Sequence, residues 1–190
     1  MRLKDEDKVN RIYAAVLKVT NREGFEGSCM SKIAAEANVS PATIYLYFEN
    51  KNDMIKKLFI HLESKMGNSY FENNNELAPS KGTFRTIWLN HYQYIMNNMD
   101  EYDFLENFSN SPLIGRIEKE NTIDYCPFLE TLFEQSKKSG LIAPLQNEMI
   151  FSLLFAPIGH LVKKNKSIDK MLSNNELIQI FDASWKAISI

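Results

Sequence analysis

A short stretch around residue 45 carries side chains suited to non-covalent recognition of another molecule's surface. Ser40 and Pro41 are typical of a helix start, because the Ser hydroxyl caps free backbone N–H groups and Pro at the first helical position gives up no hydrogen bond. Helical spacing then directs Ile44 and Phe48 inward. The residues left facing outward, and therefore able to meet a partner, are Ala42, Thr43, Leu46 and Tyr47.

The outward-facing residues lie on the second helix of a predicted helix-turn-helix unit. Ile33, Ala34 and Ala37 have helical spacing, and two of them are small, so a second helix can cross closely. Asn38 ends the first helix in the left-handed region, which Asn tolerates better than most residues, and Val39 follows as an apolar anchor. Two short helices joined by a sharp turn are the plan of a DNA reader, whose second helix enters the major groove.

Over roughly residues 5–60 the sequence resembles the TetR family of transcriptional regulators. The resemblance rests on a helix over residues 6–22 with Ala14, Ala15 and Leu17, followed in order by Gly24-Phe25, Ile33-Ala34, Val39-Ser40, Thr43-Ile44-Tyr45, Tyr47-Phe48 and Lys51. Asn38 and Ala42 stand where Gly is frequent, and Cys29 stands where Thr is frequent. Since Cys caps a helix weakly, we expect Ser28 to share that task. The alternative is that this segment is only a corner of a helical bundle and binds no partner. Such a corner would not require the Ser-Pro cap or the exposed Thr-x-Tyr-x-Tyr face, so the pattern favours a DNA-binding unit.

The resemblance implies a set of contacts to double-stranded operator DNA. Thr43, Tyr45, Leu46 and Tyr47 are expected at the major groove or its phosphate walls, Pro41 and Ala42 against a thymine methyl, and Ser31, Lys32 and Lys51 on the backbone. The recognition helix carries no Arg, Asn or Gln, so bidentate base readout is scarce. We therefore expect specificity to rest on van der Waals contact, water and DNA shape.

Composition agrees with a globular DNA-binding protein. The chain has 190 residues, is 44% hydrophobic, and has a mean hydropathy of −0.31. Its net charge is −2. Residues 1–57 carry ten Lys or Arg and eight Asp or Glu, a net charge of +2, whereas residues 58–190 have a net charge of −4. The excess positive charge therefore lies with the predicted DNA reader.

Other functional classes find little support in the sequence. The three histidines, His61, His91 and His160, are widely separated, and there is no HExxH motif, nucleophile elbow or phosphate-cradling Gly loop. Cys29 and Cys126 alone cannot build a tetrahedral metal site. We therefore predict no catalytic activity, no metal and no cofactor. The absence of a run of 18 apolar residues and of a signal-peptide stretch leads us to expect a cytoplasmic protein without a membrane partner.

Beyond residue 50 the apolar periodicity predicts helix after helix. Helices are expected over residues 51–70, about 84–99, 101–109, 113–120, 123–138 with Gly140 as a stop, 145–165 and 174–188. The predicted fold is all-α with about nine helices. It comprises an N-terminal three-helix helix-turn-helix domain, residues 1–50, and a C-terminal helical domain for ligand binding and dimerisation, residues 51–190.

The last two predicted helices favour a homodimer. A helix-turn-helix monomer covers only a half-site, and two-fold pairing supplies the second. The family that the chain resembles forms a four-helix dimer interface from this pair, and the candidate residues are Phe151, Phe155, Ile158, Gly159, Val162, Leu177, Phe181, Ser184, Trp185 and Ile188. The same stripes could instead complete the monomer core. Pro157 is expected to kink the first of the two helices.

The aromatic residues between 84 and 133 are candidates for an effector site. Such residues more often form core, but the resemblance implies a cavity for an apolar or aromatic small molecule. Its expected lining is Leu62, Met66, Trp88, His91, Tyr92, Ile95, Phe104, Phe108, Tyr125 and Phe128. The predicted function is a repressor that such a ligand releases from its operator. The alternative is a DNA-binding or adaptor protein of the same fold without a small-molecule switch.

Overall fold

A computed structural model describes residues 2–72, 78–112 and 127–190, with side chains from residue 6 onward. Over these residues the chain is all-α, as predicted, and forms nine helices. They are α1 (Arg2–Gly27), α2 (Met30–Glu36), α3 (Pro41–Ile44), α4 (Lys51–Ser69), α5 (Lys81–Asn97), α6 (Met99–Ser109), α7 (Pro127–Lys138), α8 (Asn147–Lys166) and α9 (Asn174–Ile188). An isolated antiparallel bridge joins Ile142 to Ser189.

The helices divide between two compact units. The first contains the chain up to Glu63 together with α6, and the second contains Ser64–Asn98 and the chain from Pro127 onward, so α4 contributes residues to both. Apolar side chains from all five helices of the first unit lie in its core. They include Ile12, Val16, Val19, Ile33, Ala34, Ile44, Phe48, Ile55, Leu58, Phe104 and Leu105.

The turn between α2 and α3 has the geometry that the sequence predicted. Asn38 has a φ of 53°, in the left-handed region. The Ser40 hydroxyl accepts a hydrogen bond of 3.2 Å from the Thr43 N–H, and Pro41 is the first residue of α3. Ile44 and Phe48 are buried. The cap, the turn and the inward residues together fix the direction in which α3 presents its outer face.

Gly24 interrupts α1 before its end. Its φ of 74° and ψ of 169° are non-helical, and a positive φ of this size favours glycine. The Ser28 N–H donates to the Gly24 carbonyl at 3.2 Å, which closes a turn leading towards α2. Cys29, at the N-cap of α2, makes no capping hydrogen bond with its side chain. The hydrogen bond that the structure shows for the Ser28 hydroxyl runs in the other direction along the chain, to the Phe25 carbonyl at 2.8 Å.

In the second unit, α8 and α9 pack together and α5 packs on α8. Their shared core is aromatic, with Phe84 stacked on Phe133 at 6.0 Å and Trp88 edge-on to Phe181 at 5.7 Å between ring centroids. Pro157 lies inside α8 and has no N–H to give to the preceding turn. The Trp88 indole N–H donates to the carbonyl of Leu154, three residues before this proline, at 2.9 Å.

The predicted helices over 101–109, 145–165 and 174–188 are confirmed as α6, α8 and α9. The helix predicted over 113–120 lies outside the described residues, as does the start of the one predicted over 123–138, whose remainder is α7. Gly140 follows α7 with a φ of 72°, which confirms it as a stop. A Ser173–Glu176 capping box begins α9.

Candidate nucleic-acid interface

The outer face of α3 and the turn after it presents apolar and hydroxyl-bearing side chains to solvent. Tyr45 is 56% exposed and Leu46 is 79% exposed. Pro41 and Ala42 are exposed, while Thr43 and Tyr47 are half-buried. A leucine side chain as exposed as Leu46 is not packed in the core of this chain. Together with its exposed neighbours it forms a surface that is available for contact with another molecule.

Two of the predicted phosphate-binding lysines are engaged within the protein. The Lys51 ammonium donates to the carbonyls of Phe25 and Ser28, at 2.9 and 3.0 Å. The Lys32 ammonium pairs with the Glu23 carboxylate and donates to the Gly27 carbonyl at 3.2 Å. Both lysines therefore hold the junction between α1 and α2. Ser31, the third predicted backbone contact, is exposed at the start of α2.

Lys57 is a cation near the outer face that the sequence interpretation missed. Its ammonium lies 2.9 Å from the Asp53 carboxylate, donates to the Tyr47 carbonyl at 3.4 Å, and sits 5.5 Å from the centroid of the Phe48 ring. These contacts place it beside the chain that leaves α3. The sequence shows only that Lys57 lies four residues after Asp53. Such i, i+4 ion pairs are common on exposed helix surfaces, so this spacing did not indicate a function.

The residues predicted to line an effector cavity fall in both units. Leu62, Phe104 and Phe108 are buried in the first unit, where Phe108 contacts Phe59 with a centroid distance of 4.6 Å. Met66, Trp88, His91, Tyr92 and Ile95 are buried in the second. Phe128 is 69% exposed and its ring lies 5.7 Å from that of Phe71. Tyr125 lies outside the described residues.

A polar pair is embedded in the aromatic core of the second unit. The Tyr70 hydroxyl and His91 Nδ1 share a hydrogen bond of 3.0 Å. The Phe155 ring stacks on Tyr70 at 5.6 Å and lies 4.9 Å from the His91 ring. Burial lowers the pKa of His91 to about 3, so the imidazole is neutral at physiological pH. Asn90 donates to the Tyr70 carbonyl at 3.0 Å and ties the chain after α4 to α5.

The predicted dimer residues mostly face inward. Nine of the ten are buried within this single chain: Phe155, Ile158, Gly159, Val162, Leu177, Phe181, Ser184, Trp185 and Ile188. Phe151 is exposed. Side chains buried in the monomer have little surface to offer a second copy. A different apolar set on the same two helices is exposed, comprising Met149, Leu153, Ala156, Pro157, Ile178, Ala183 and Ala187.

Among the residues that the structure describes, no three His, Cys, Asp or Glu side chains are grouped in a way that could hold a metal ion. In the same part of the chain, no helix combines the length and apolar character needed to cross a membrane.

A capped helix-turn-helix unit with an exposed second helix, in a chain that continues into a larger helical part, defines a helix-turn-helix transcriptional regulator. Comparison with known proteins identifies the family. Residues 12–58 match the family described as bacterial regulatory proteins, tetR family, and residues 79–189 match the tetracyclin repressor-like C-terminal domain. The chain belongs to the TetR family of transcriptional regulators.

Relatives similar to this chain over nearly its whole length are themselves regulators. An HTH-type transcriptional regulator of Haemophilus influenzae is 30% identical, and the match covers 99% of each chain. The fatty acid metabolism regulator protein of Bacillus subtilis is 26% identical over 91% of this chain and 93% of its own. The crystal structure of a TetR-family regulator from Haemophilus influenzae superposes with a TM-score of 0.83 at 26% identity, covering 98% and 99% of the two chains.

Proposed function

We propose that this protein is a repressor that binds double-stranded operator DNA through the outer face of α3. The observation that carries the proposal is the exposure of Tyr45 and Leu46 on a segment whose direction is fixed by the Ser40 cap and the left-handed Asn38. A segment whose backbone is already ordered in the free protein loses less conformational freedom on binding. Repression follows from occlusion of a promoter, which needs no contact with polymerase. The proposed location is the cytoplasm, because operator DNA lies there.

The proposed contacts divide between bases and backbone. Pro41, Ala42, Thr43, Tyr45, Leu46 and Tyr47 meet the major groove or its walls, and Ser31, Lys32 and Lys51 lie towards the phosphates. We add Lys57, because its ammonium donates to the Tyr47 carbonyl at 3.4 Å; it too has a partner within the protein, the Asp53 carboxylate. Lys32 and Lys51 already have protein partners, so any phosphate contact from them uses the N–H groups that remain.

The proposed working form is a homodimer, which places two copies of α3 on two half-sites. Since the inward stripes of α8 and α9 complete the monomer core, the proposed interface is the exposed apolar face of these helices, centred on Leu153 and Ile178. Leu153 is 38% exposed and Ile178 is 44% exposed. The small residues Ala156 and Ala183 on the same helices permit close approach. Burying such a face on a second copy removes apolar surface from water.

The proposed effector is a small, largely apolar molecule bound by the helices beyond residue 50. The aromatic core of the second unit supports this class of ligand, and the buried Tyr70–His91 pair supplies a polar group to orient it. The Bacillus subtilis relative is a regulator of fatty acid metabolism. A fatty-acyl chain is therefore the first ligand to test. In this division of labour residues 1–50 read DNA, and residues 51–190 bind the effector and pair the two copies.

The alternative, a DNA-binding protein without a small-molecule switch, is favoured by one observation. The aromatic side chains proposed for the effector site contact one another and the backbone, as in the hydrogen bond from Trp88 to Leu154 and the contact of His91 with Phe155. Side chains that already have partners within the chain need no ligand to bury them. Titration with fatty acids, acyl thioesters and other apolar or aromatic compounds tests the switch, because a bound effector changes operator affinity; no change with any of them would favour the alternative.

DNA binding itself is tested by selecting bound sequences from a random duplex pool. The expected result is enrichment of an inverted repeat whose half-sites lie about one helical turn apart, followed by footprinting of that sequence. Retention of DNA without enrichment of any sequence would contradict operator recognition.

A further inference from the structure

Phe25, the residue after the break at Gly24, lies against two rings of α6. Its ring centroid is 5.5 Å from that of Phe104 and 5.5 Å from that of Phe108, with interplanar angles of 74° and 80°. Edge-on contacts of this kind are favourable beyond simple burial. Phe104 and Phe108 are buried, whereas Phe25 is only half-buried. The ring of Phe25 therefore marks where α1 meets α6 within the first unit.

The Phe25 backbone carbonyl accepts hydrogen bonds from residues outside α6. It accepts the Ser28 hydroxyl at 2.8 Å and the Lys51 ammonium at 2.9 Å. Lys51 is the first residue of α4, and its ammonium also donates to the Ser28 carbonyl. One lysine thus bridges the end of α1 to the start of α4, across the helix-turn-helix. We call the hydrogen bonds of Lys51 to Phe25 and Ser28 the carbonyl clasp.

A second contact joins α1 to α6 one turn away. The Asn21 side-chain amide donates to the Asp100 carbonyl at 2.8 Å, at the start of α6. Together with the ring contacts of Phe25, it holds α6 along the last part of α1. The positive φ of Gly24 lies between these two contacts.

We infer that Phe25 is a positioning residue for DNA binding. The location of its ring depends on the position of α6, and its carbonyl, through the hydrogen bond from Lys51, sets the direction of α2 and α3. The inference rests on the proposed function of the α3 face. A displacement of α6 changes where the Phe25 ring sits, and the attached peptide group follows. The hydrogen bonds from Lys51 to the Phe25 and Ser28 carbonyls are then broken, and the start of α4 shifts with respect to α1.

The test is a double-mutant cycle on operator affinity with Phe25→Leu and Lys51→Met, measured at several salt concentrations on the sequence that the wild-type protein selects. Phe25→Leu is expected to weaken binding about tenfold, equivalent to about 1.4 kcal/mol. The dependence of log affinity on log salt is expected to stay unchanged, since the variant removes no charge that could release a counterion. The double variant is expected to bind no more weakly than the weaker single variant, because both break the same clasp.

Phe84→Leu is the matched control. Phe84 is a buried aromatic residue of the second unit, and its ring partners Phe133 and Trp185 belong neither to α6 nor to the clasp. It is expected to lower thermal stability while keeping operator affinity within about twofold at temperatures where the protein is folded. If Phe25→Leu fails to fold, Phe25→Met keeps apolar bulk without an aromatic ring and replaces it in the cycle.

Equal effects of Phe25→Leu and Phe84→Leu on affinity would overturn the inference, because Phe25 would then act only as a core residue. Additive losses from Phe25→Leu and Lys51→Met would also overturn it. In both results the wild-type protein still selects its operator, so the proposed function stands. Absence of sequence selection by the wild-type protein overturns the proposed function, and the inference with it.

Discussion

Tyr70 and His91 share a 3.0 Å hydrogen bond inside an otherwise aromatic core, and the Phe155 ring covers both. Tyr70 follows the end of α4, whereas His91 lies in the middle of α5. The bond therefore joins the residue after α4 to α5 at a buried point. A hydrogen bond in such surroundings favours the observed arrangement of the two segments, since separating them breaks the bond where little solvent is available to replace it.

Tyr70→Phe removes the hydroxyl and keeps the ring. It is expected to lower the free energy of unfolding by about 1–3 kcal/mol, the cost of leaving a buried polar atom without its hydrogen bond. Urea denaturation measures the change. Tyr45→Phe is the control, because the exposed Tyr45 hydroxyl has water as a partner, and its effect is expected within about 0.5 kcal/mol. Equal effects of the two variants would show that the bond contributes nothing.

His91 is expected to make the protein less stable in acid. Below pH 6.5 the unfolded chain binds a proton at His91, whereas burial keeps the folded-state pKa at about 3. The wild-type protein therefore loses stability relative to His91→Leu as the pH falls from 6.5 towards 3, by up to about 1.4 kcal/mol per pH unit. Above pH 7 the difference between the two is expected to be flat. Parallel stability profiles across the acid range would contradict the low pKa.

Leu46→Ala tests the surface formed by α3 and the turn after it. The 79% exposed side chain contributes little to folding, so thermal stability is expected to stay the same. Operator affinity is expected to fall by about 1–2 kcal/mol, because the three lost carbons no longer bury apolar area on DNA. Ile168→Ala is the matched control, an exposed aliphatic residue after α8. The assignment fails if both variants bind the operator as tightly as the wild-type protein.

Leu153→Glu places a charge on the proposed dimer face, at a residue that is 38% exposed in the single chain. Sedimentation at micromolar concentration is expected to show monomers for this variant and dimers for the wild-type protein, since burying an unpaired carboxylate costs several kcal/mol. Ile168→Glu adds the same charge away from that face and is expected to remain dimeric. A dimeric Leu153→Glu protein would move the interface elsewhere.

The helix-turn-helix was predictable because its determinants are local. Ser40, Pro41 and Asn38 each act on backbone within a few residues, and the structure shows the cap and the left-handed φ that they predict. Spacing likewise identified Ile44 and Phe48 as buried. Contacts between distant segments could not be predicted. The carbonyl partners of Lys51 lie 23 and 26 residues earlier in the chain, and a lysine in a sequence carries no sign of which acceptor it will reach.

The dimer prediction shows a second limit of periodicity. An apolar stripe tells that a helix face is buried, but not what buries it. Phe155 and Ile158 follow the strongest stripe of α8, and the structure buries them within the chain. The exposed residues Leu153 and Pro157 form a weaker stripe beside it. The same reasoning applies to Phe104 and Phe108, whose spacing indicated an apolar environment and whose neighbours in the structure include Phe25.

The membership of α6 in the first unit limits how this regulator can be recombined with others. A chimera that exchanges DNA specificity by a single cut near residue 50 would separate Phe25 from its partners on α6, and a cut near residue 63 would separate Phe59 as well. A sensor built on this scaffold therefore needs two crossovers, so that α6 travels with the reader, or a replacement reader whose first helix carries an aromatic residue after its glycine.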